Sequence, residues 1–223
     1  MAPTPSIIGA VGADRAEADL PASIGRRLRA LRARTGRSLA SVARELGISA
    51  SALSQIETGA MQPSVHRLVE LVGVLGAPVS AIFDDHAVAA SPDPGAAADL
   101  AEPVPGVFVA RSGTETTAHL GQGVTYRRLT PVPIPGVEHF ESTYPPGASS
   151  SADGGLLVHA GYESGQVISG TLTFEFVDGE VELGPGESLS FAASRPHRVA
   201  NRTDRVAVAT WLTVVGATAP AAD

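Results

Sequence analysis

The segment of residues 38–59 constrains this chain more than any other, because it predicts two short helices joined at a glycine. Ser38 is a good N-cap for the first helix, and Gly47 ends it. The second helix begins after Ser49 and ends at Gly59. The first helix buries one stripe at the i, i+3, i+4, i+7 spacing, formed by Leu39, Val42, Ala43 and Leu46. The small alanine in this stripe lets the second helix approach closely.

Further helical segments on both sides complete an all-α module over residues 21–84. The first helix runs from about residue 24 to residue 35 and stops at Gly36. The fourth begins after Ser64 and stops at Gly76. Its buried residues are predicted to be Leu68, Leu71, Val72 and Leu75. A last apolar cluster, Val79, Ile82 and Phe83, predicts a short fifth helix.

The charge of this module differs from that of the whole chain. Residues 20–84 carry eight arginines against four acidic residues, a net charge of +4, whereas the whole chain carries −7. A basic module in an acidic chain indicates local contact with a polyanion. All basic residues are arginine and none is lysine. Genome composition explains that bias, but it explains the clustering of the arginines poorly.

Composition excludes several classes of protein. The chain has no cysteine, which removes disulfides and thiolate metal sites. No apolar run reaches the roughly 18 residues of a membrane span. The N-terminal residues lack the basic and apolar regions of a secretory signal. A cytoplasmic protein without a membrane partner is therefore expected.

The chain divides into two domains with tails and a linker. Residues 1–20 are rich in Ala, Pro and Asp and predict a disordered tail, and residues 217–223 predict another. Residues 85–105 are a Pro/Ala/Gly-rich flexible linker. Residues 106–216 alternate short β-type runs with Gly, Pro and Asp turns, which predicts an all-β sandwich or barrel. The fold class is therefore α+β in two domains.

The helical module resembles a known family. The stretch Leu53-Ser54-Gln55-Ile56-Glu57-x-Gly59-x-x-x-Pro63-Ser64 is similar to the five-helix domain of phage repressors and xenobiotic-response-element (XRE) regulators. The resemblance implies a helix-turn-helix domain that binds double-stranded DNA, with its third helix in the major groove.

Roles for single residues follow from this geometry. The base-reading residues are expected to be Ala50, Ser51, Ser54 and Gln55. The phosphate contacts are expected at Arg37, Ser38, Thr58 and Ser64. By resemblance, Arg32 and Glu57 form a largely buried ion pair between the first and third helices, so Glu57 is not a base reader. Arg26 and Arg29 are expected on a solvated face.

The β-rich half carries a second resemblance. His159-x3-Glu163-x6-Gly170, followed by Gly186, His197 and Asn201, resembles the two motifs of the cupin family. Cupins are small double-stranded β-helix, or jelly-roll, barrels. The sequence departs from the metal-binding pattern, because Leu157 replaces the first histidine and Ala192 and Ser194 replace the usual Pro and Gly of the second motif.

Three residues remain as candidate metal ligands. His159, Glu163 and His197 are enough for a facial triad that holds Fe(II), or Zn, Ni or Mn. They are equally enough for a hydrogen-bonding cluster without a metal, and the histidines could be ordinary residues of the barrel mouth. Glu163 could instead pair with an arginine, for which the candidates are Arg127, Arg128 and Arg198. An effector pocket in the barrel could be lined by Tyr162 and Gln166, together with Tyr126, Phe174 and Trp211.

Taken together, the two resemblances favour a transcriptional regulator rather than an enzyme. In this interpretation the protein binds a palindromic operator as a homodimer held by its cupin domains, and a small-molecule effector in the barrel acts on the DNA-binding domain. Two alternatives remain open. One is a mononuclear Fe(II) oxygenase of the phosphonate-epoxidase type, and the other is a regulator whose cupin is purely structural.

Overall fold

The computed structural model describes residues 24–83, 104–111 and 117–216. Helix α1 covers residues 24–34 of the described chain. It is followed by α2 (Leu39–Glu45), α3 (Ala50–Thr58), α4 (Val65–Val74) and a 3₁₀ helix (Val79–Ile82). The two predicted tails and most of the predicted linker lie outside the described residues.

Serine N-caps begin helices α2, α3 and α4, as the sequence predicts. The hydroxyls of Ser38, Ser49 and Ser64 each accept a hydrogen bond from the backbone N–H three residues further on. Gly59 ends α3 with a φ of 77°, a left-handed conformation that glycine adopts without strain. The Gly59 end of α3 and the Ser64 cap of α4 therefore define the turn between these two helices.

The predicted fifth helix is a 3₁₀ turn, so the helical domain has four α-helices within residues 24–83. The Phe83 N–H donates to Ser80 O, the i to i−3 bond that closes so short a turn. The Phe83 ring packs on Phe140 of the β domain, with centroids 5.5 Å apart. Packing therefore holds this turn in place. None of the helices described is long and apolar enough to cross a membrane.

The C-terminal domain is a barrel of two antiparallel sheets, consistent with the predicted β fold. Within the described residues its strands are β1 (Thr117–His119), β2 (Thr125–Arg128), β3 (Val137–Tyr144), β4 (Tyr162–Ser169), β5 (Leu172–Phe176), β6 (Gly179–Leu183), β7 (Ser188–Ala192), β8 (His197–Ala200) and β9 (Ala207–Val214). One sheet has the order β1-β2-β3-β9-β4-β7, and the other has β6-β5-β8. The long strands β3, β9 and β4 are neighbours and carry much of the barrel wall.

Strand alternation decides which side chains face the interior. Along β3, every second residue is buried, from Glu138 through Phe140 to Tyr144. On β9, Trp211 lies opposite Gly165 of β4. A Cβ at residue 165 would come 2.6 Å from the Trp211 ring, so glycine makes room for the indole.

The two domains pack directly against each other. The His66 N–H in the first turn of α4 donates to Ser150 O at 2.9 Å. The Gly121 N–H of the barrel donates to Pro63 O, just before α4, at 2.8 Å. Buried apolar residues of both domains form one continuous core. As a result, α4 lies between the helical domain and the barrel.

Candidate functional site

The exposed face of α3 carries the residues predicted to read bases. Ala50, Ser51 and Gln55 are exposed and Ser54 is half-buried, whereas Leu53 on the opposite face is completely buried. The helix therefore presents small polar side chains on one side and is anchored by apolar ones on the other. Its width and exposure suit the major groove of B-DNA.

A bidentate ion pair locks α3 to α1. Arg32 Nε lies 2.6 Å from Glu57 Oε1, and Arg32 Nη2 lies 2.8 Å from Glu57 Oε2. Glu57 is only 4% exposed, and its hydrogen bond to Arg32 raises the arginine pKa. A third guanidinium N–H donates to Arg37 O at 3.0 Å. The Glu57 carboxylate is therefore fully engaged inside the domain.

Sequence reasoning missed one residue at this junction. Gly25 of α1 packs so closely on the end of α3 that a Cβ there would lie 2.5 Å from Ile56 O. A glycine inside a helix is usually unfavourable, and this contact explains why it is present. The apolar spacing on either side of it was the only available signal, and that signal does not report a close backbone approach.

The residues predicted to contact phosphate already have partners within the protein. Arg37 donates to Val74 O at 2.9 Å and pairs with Glu45. The Thr58 hydroxyl donates to Ser54 O at 2.9 Å. The Arg37–Glu45 pair is solvent-accessible, and exposed pairs of this kind cost little to exchange for a phosphate.

The N-terminus of α4 lies against the barrel. A Cβ at residue 121 would be 3.4 Å from Ser64 N, and the N–H of His66 is bonded to Ser150 O. The barrel therefore occupies the helix end at Ser64, where the sequence predicts a phosphate contact. The helical sequence alone could not predict this contact, because the partner lies in the other domain.

At the barrel mouth, the structure brings the three candidate metal ligands together. Glu163 Oε1 lies 2.9 Å from His159 Nε2, and Glu163 Oε2 lies 3.7 Å from His197 Nε2. The ligand atoms of the three residues all lie within 4.8 Å of one another. All three side chains are at most 19% exposed. Glu163 lies on β4, His197 is the first residue of β8, and His159 lies in the segment before β4.

Backbone carbonyls orient both imidazole rings. His159 Nδ1 lies 3.1 Å from Ala160 O, and His197 Nδ1 lies 2.8 Å from Arg195 O. Because a carbonyl only accepts, each Nδ1 carries the hydrogen and each Nε2 is left to face Glu163. Second-sphere bonds of this kind orient histidine ligands in metal sites.

A positive charge suits the space between these side chains. Burial works to lower the pKa of His159, but the hydrogen bond and the charge of Glu163 outweigh it and raise that pKa. Burial lowers the pKa of His197 despite the same carboxylate. The negative charge of the Glu163 carboxylate is therefore balanced either by a proton on His159 or by a bound cation. The donor set of two imidazoles and one carboxylate fits Fe(II), Zn, Ni or Mn.

Two of the three arginines expected as alternative partners of Glu163 form ion pairs elsewhere, and the third, Arg128, donates to Pro131 O at 3.4 Å. Arg127 forms an ion pair with Glu141 at 2.8 Å, and Arg198 pairs with Glu175.

Asn201 is 1% exposed and bonds to backbone groups of the loop that includes Arg205, as expected for a turn residue.

A cavity of about 200 Å³ extends from this cluster to the helical domain. One wall is α4, with Val65, Val69 and Val72. The other wall is the barrel interior, with Tyr126, Phe140, Tyr144, Leu157 and Trp211. Its lining is mostly apolar. The pocket is therefore formed by both domains.

Three of the residues expected to line the pocket do not, namely Tyr162, Gln166 and Phe174. Tyr162 and Gln166 are on β4, where Gly165 and Val167 are buried and Gln166 is exposed. Neither Tyr162 nor Gln166 borders the cavity, and the Gln166 amide donates to Gly186 O on the outside. Side chains alternate between the two faces of a strand. Tyr162 and Gln166 are an odd number of positions from the inward-facing Glu163, so they point away from the cavity. Phe174 packs on the Trp211 ring in the core behind the cavity, at 5.4 Å.

Comparisons with protein families agree with this architecture. The helix-turn-helix domain family matches residues 23–82, and the cupin domain family matches residues 140–215. The chain therefore carries a segment similar to helix-turn-helix domains, followed by a segment similar to cupin domains. Comparison with curated protein sequences gave no significant match.

Several solved structures align with parts or most of this chain. An HTH_3 family transcriptional regulator from Vibrio cholerae aligns with a TM-score of 0.61 at 22% identity, over 89% of this chain and 98% of its own. A cupin domain of an XRE family regulator from Enterobacter cloacae gives 0.38 at 24% identity, over 43% of this chain and 100% of its own. Hydroxypropylphosphonic acid epoxidase from S. wedmorenis gives 0.41 at 19%, over 87% of this chain and 98% of its own. The first alignment shows that the two-domain arrangement exists in another protein.

Proposed function

We propose that the protein is a sequence-specific DNA-binding transcriptional regulator that acts in the cytoplasm and reads the major groove with α3. The observation that carries this proposal is the exposed face of α3, with Ala50, Ser51 and Gln55, on a helix fixed from behind by the Arg32–Glu57 pair. A rigid helix with a small polar face is what direct base readout requires.

The side chains suggest how α3 meets its site. The amide of Gln55 matches the N6 and N7 edge of adenine, and Ser51 and Ser54 match several base edges. Ala50 leaves room for a thymine methyl. In this proposal Arg37, Ser38 and Thr58 contact the phosphates on either side of the groove.

The barrel supplies dimerisation in this proposal. Two copies joined through their cupin domains would present two α3 helices to successive half-sites, roughly 34 Å apart, on a palindromic operator. A protein with this symmetry binds DNA of the same symmetry.

The cupin domain is proposed to sense a small molecule in the cavity. His159, Glu163 and His197 would hold a divalent metal, which when bound would supply open coordination positions at one end of the cavity. The three side chains themselves orient the site, through carbonyls that fix both imidazole rings.

The metal-ligand cluster also favours a second candidate function, an Fe(II) oxygenase that acts on a phosphonate. The lining of the cavity argues against that substrate. Among the described residues around it, the ionisable groups are the carboxyls of Glu138 and Glu163, two histidines and two tyrosines. In the described lining a phosphonate dianion would meet the bound iron but no arginine that could anchor its remaining charge.

Selection of DNA fragments by the purified protein at physiological salt tests the proposal, with metal content measured on the same preparation by mass spectrometry. Recovery of a short palindrome is the expected result. Absence of enrichment over bulk DNA, together with about one iron per chain and oxygen consumption, would support the oxygenase instead.

A further inference from the structure

The cavity has a wall made by the DNA-binding domain. Val65, Val69 and Val72 of α4 line it, and α4 follows the recognition helix α3 after a turn of six residues, 59–64. The His66 N–H bond to Ser150 O fixes the start of α4 on the barrel. Anything that fills the cavity therefore contacts the helix next to α3.

One polar group in the cavity has no partner. Tyr144 is fully buried on β3, and among the described residues its hydroxyl is the buried side-chain group without a hydrogen bond. Burial raises its pKa well above the usual value, and the neighbouring Tyr126 hydroxyl works to lower it. A buried hydroxyl without a hydrogen bond costs stability unless a ligand satisfies it.

The charged groups in the cavity already have partners of their own. The Glu138 carboxylate accepts hydrogen bonds from Ser80, and Glu163 faces the two histidines. Among the described residues of the lining none is an arginine. When no metal is bound, an anion would therefore be repelled from the apolar part of the cavity, whereas an uncharged molecule would not be.

We infer that this cavity is the binding site of a small uncharged molecule with an apolar body and one oxygen that accepts a hydrogen bond from the Tyr144 hydroxyl. The apolar body lies against Val69 and Val72, and the oxygen lies beside Tyr144. Occupation of the cavity changes the position of α4 and thereby the DNA affinity of α3. The inference rests on the proposed function only in this last step.

The volume limits the size of the ligand. A cavity of roughly 150 Å³ is enough for benzene, so about 200 Å³ accepts a six-membered ring with one substituent. Cyclohexanol has this size and carries one hydroxyl oxygen, which makes it a suitable probe.

The protein contains its own reporter of binding. Trp211 is the sole tryptophan of the chain, and it lines the cavity. A titration with cyclohexanol should change its fluorescence with saturation. Tyr144→Phe, which removes only the unpaired hydroxyl, should leave folding intact and weaken binding about three- to tenfold.

Substitutions at Val69 and Val177 test whether cyclohexanol binds in this cavity. Val69→Phe fills the cavity from α4 and should abolish the response to cyclohexanol, with Val69→Leu as a milder filler if the phenylalanine variant does not fold. Val177→Phe adds the same ring at a side chain that is 74% exposed, and it should titrate like the wild type. No saturable response in the wild type, or equal affinities in the wild type and Tyr144→Phe, would overturn the site.

The coupling is tested on the DNA fragment that the wild type selects. Saturating cyclohexanol and the Val69→Phe substitution should shift its affinity in the same direction by about tenfold, and Val177→Phe should not. Unchanged DNA affinity in a protein that binds cyclohexanol would overturn the coupling through α4. If the wild type selects no DNA, the proposed function fails, whereas the fluorescence titration still decides the binding site.

Discussion

The Glu138 carboxylate accepts two hydrogen bonds from Ser80, one from the backbone N–H at 3.0 Å and one from the hydroxyl at 3.1 Å. Both residues are buried, at 8% and 7% exposure. Ser80 belongs to the last helical turn of the DNA-binding domain, and Glu138 belongs to the same strand as Tyr144. The contact therefore joins the helical domain to the strand that lines the cavity.

Ser80→Ala should lower the free energy of unfolding by about 1–3 kcal/mol, because the buried carboxylate loses one of its donors. Urea denaturation followed by circular dichroism measures this change. Ser190→Ala, which removes an exposed hydroxyl bonded to Ser164, is the control and should stay within about 0.5 kcal/mol of wild type. Equal effects of the two substitutions would show that the Ser80 contact does not hold the domains together.

Glu57→Ala should destabilise the helical domain by about 3 kcal/mol, because it removes the buried carboxylate that pairs with the partly buried Arg32 guanidinium. Glu45→Ala breaks an ion pair whose carboxylate side chain is 53% exposed, and it should cost less than about 1 kcal/mol. Thermal melting of both variants measures the difference. A Glu57→Ala protein as stable as Glu45→Ala would contradict the structural role of the buried pair.

Gln55→Ala should relax base preference at one position of the operator, at a cost of about 1–3 kcal/mol for the preferred base. The measurement is a binding profile across all single-base variants of the selected site. Gln166→Ala replaces an exposed glutamine of the barrel and should keep the wild-type profile. If the Gln55→Ala profile also matches wild type at every position, the proposed register of α3 in the groove is wrong.

Glu163→Ala should lower the affinity for a divalent metal on the order of 100-fold or more, because it removes one of three ligands. Calorimetric titration with Zn²⁺ measures the affinity. Glu141→Ala removes a barrel carboxylate that pairs with Arg127, and it should bind Zn²⁺ like the wild type. Wild-type affinity in Glu163→Ala would place the metal elsewhere or exclude this cluster as its site.

Much of the fold could be predicted from the sequence because its signals are local. Ser38, Ser49 and Ser64 are caps whose hydrogen bonds reach only three residues, and Gly59 provides a left-handed end to α3. Apolar periodicity identified the buried faces of the helices. The spacing of His159 and Glu163 was visible for the same reason, because both lie close together along the chain.

Features that depend on contacts between domains could not be predicted. Val69 and Val72 have the spacing of core residues, and nothing in that spacing indicates that a cavity lies between them and the barrel. The alternation of residues along β3 likewise does not indicate that the Tyr144 hydroxyl lacks a hydrogen-bond partner. The placement of Tyr162 and Gln166 was an avoidable error, because strand alternation already excludes both if Glu163 faces inward.

The central claim is that α3 reads DNA sequence, and the most direct test is fluorescence anisotropy with the selected palindrome and with a scrambled duplex of the same composition. At physiological salt we expect the palindrome to bind at least about a thousandfold more tightly than the scrambled duplex. Equal affinities for the two duplexes, with the same dependence on salt, would show that the protein senses only the phosphate backbone and would contradict the account.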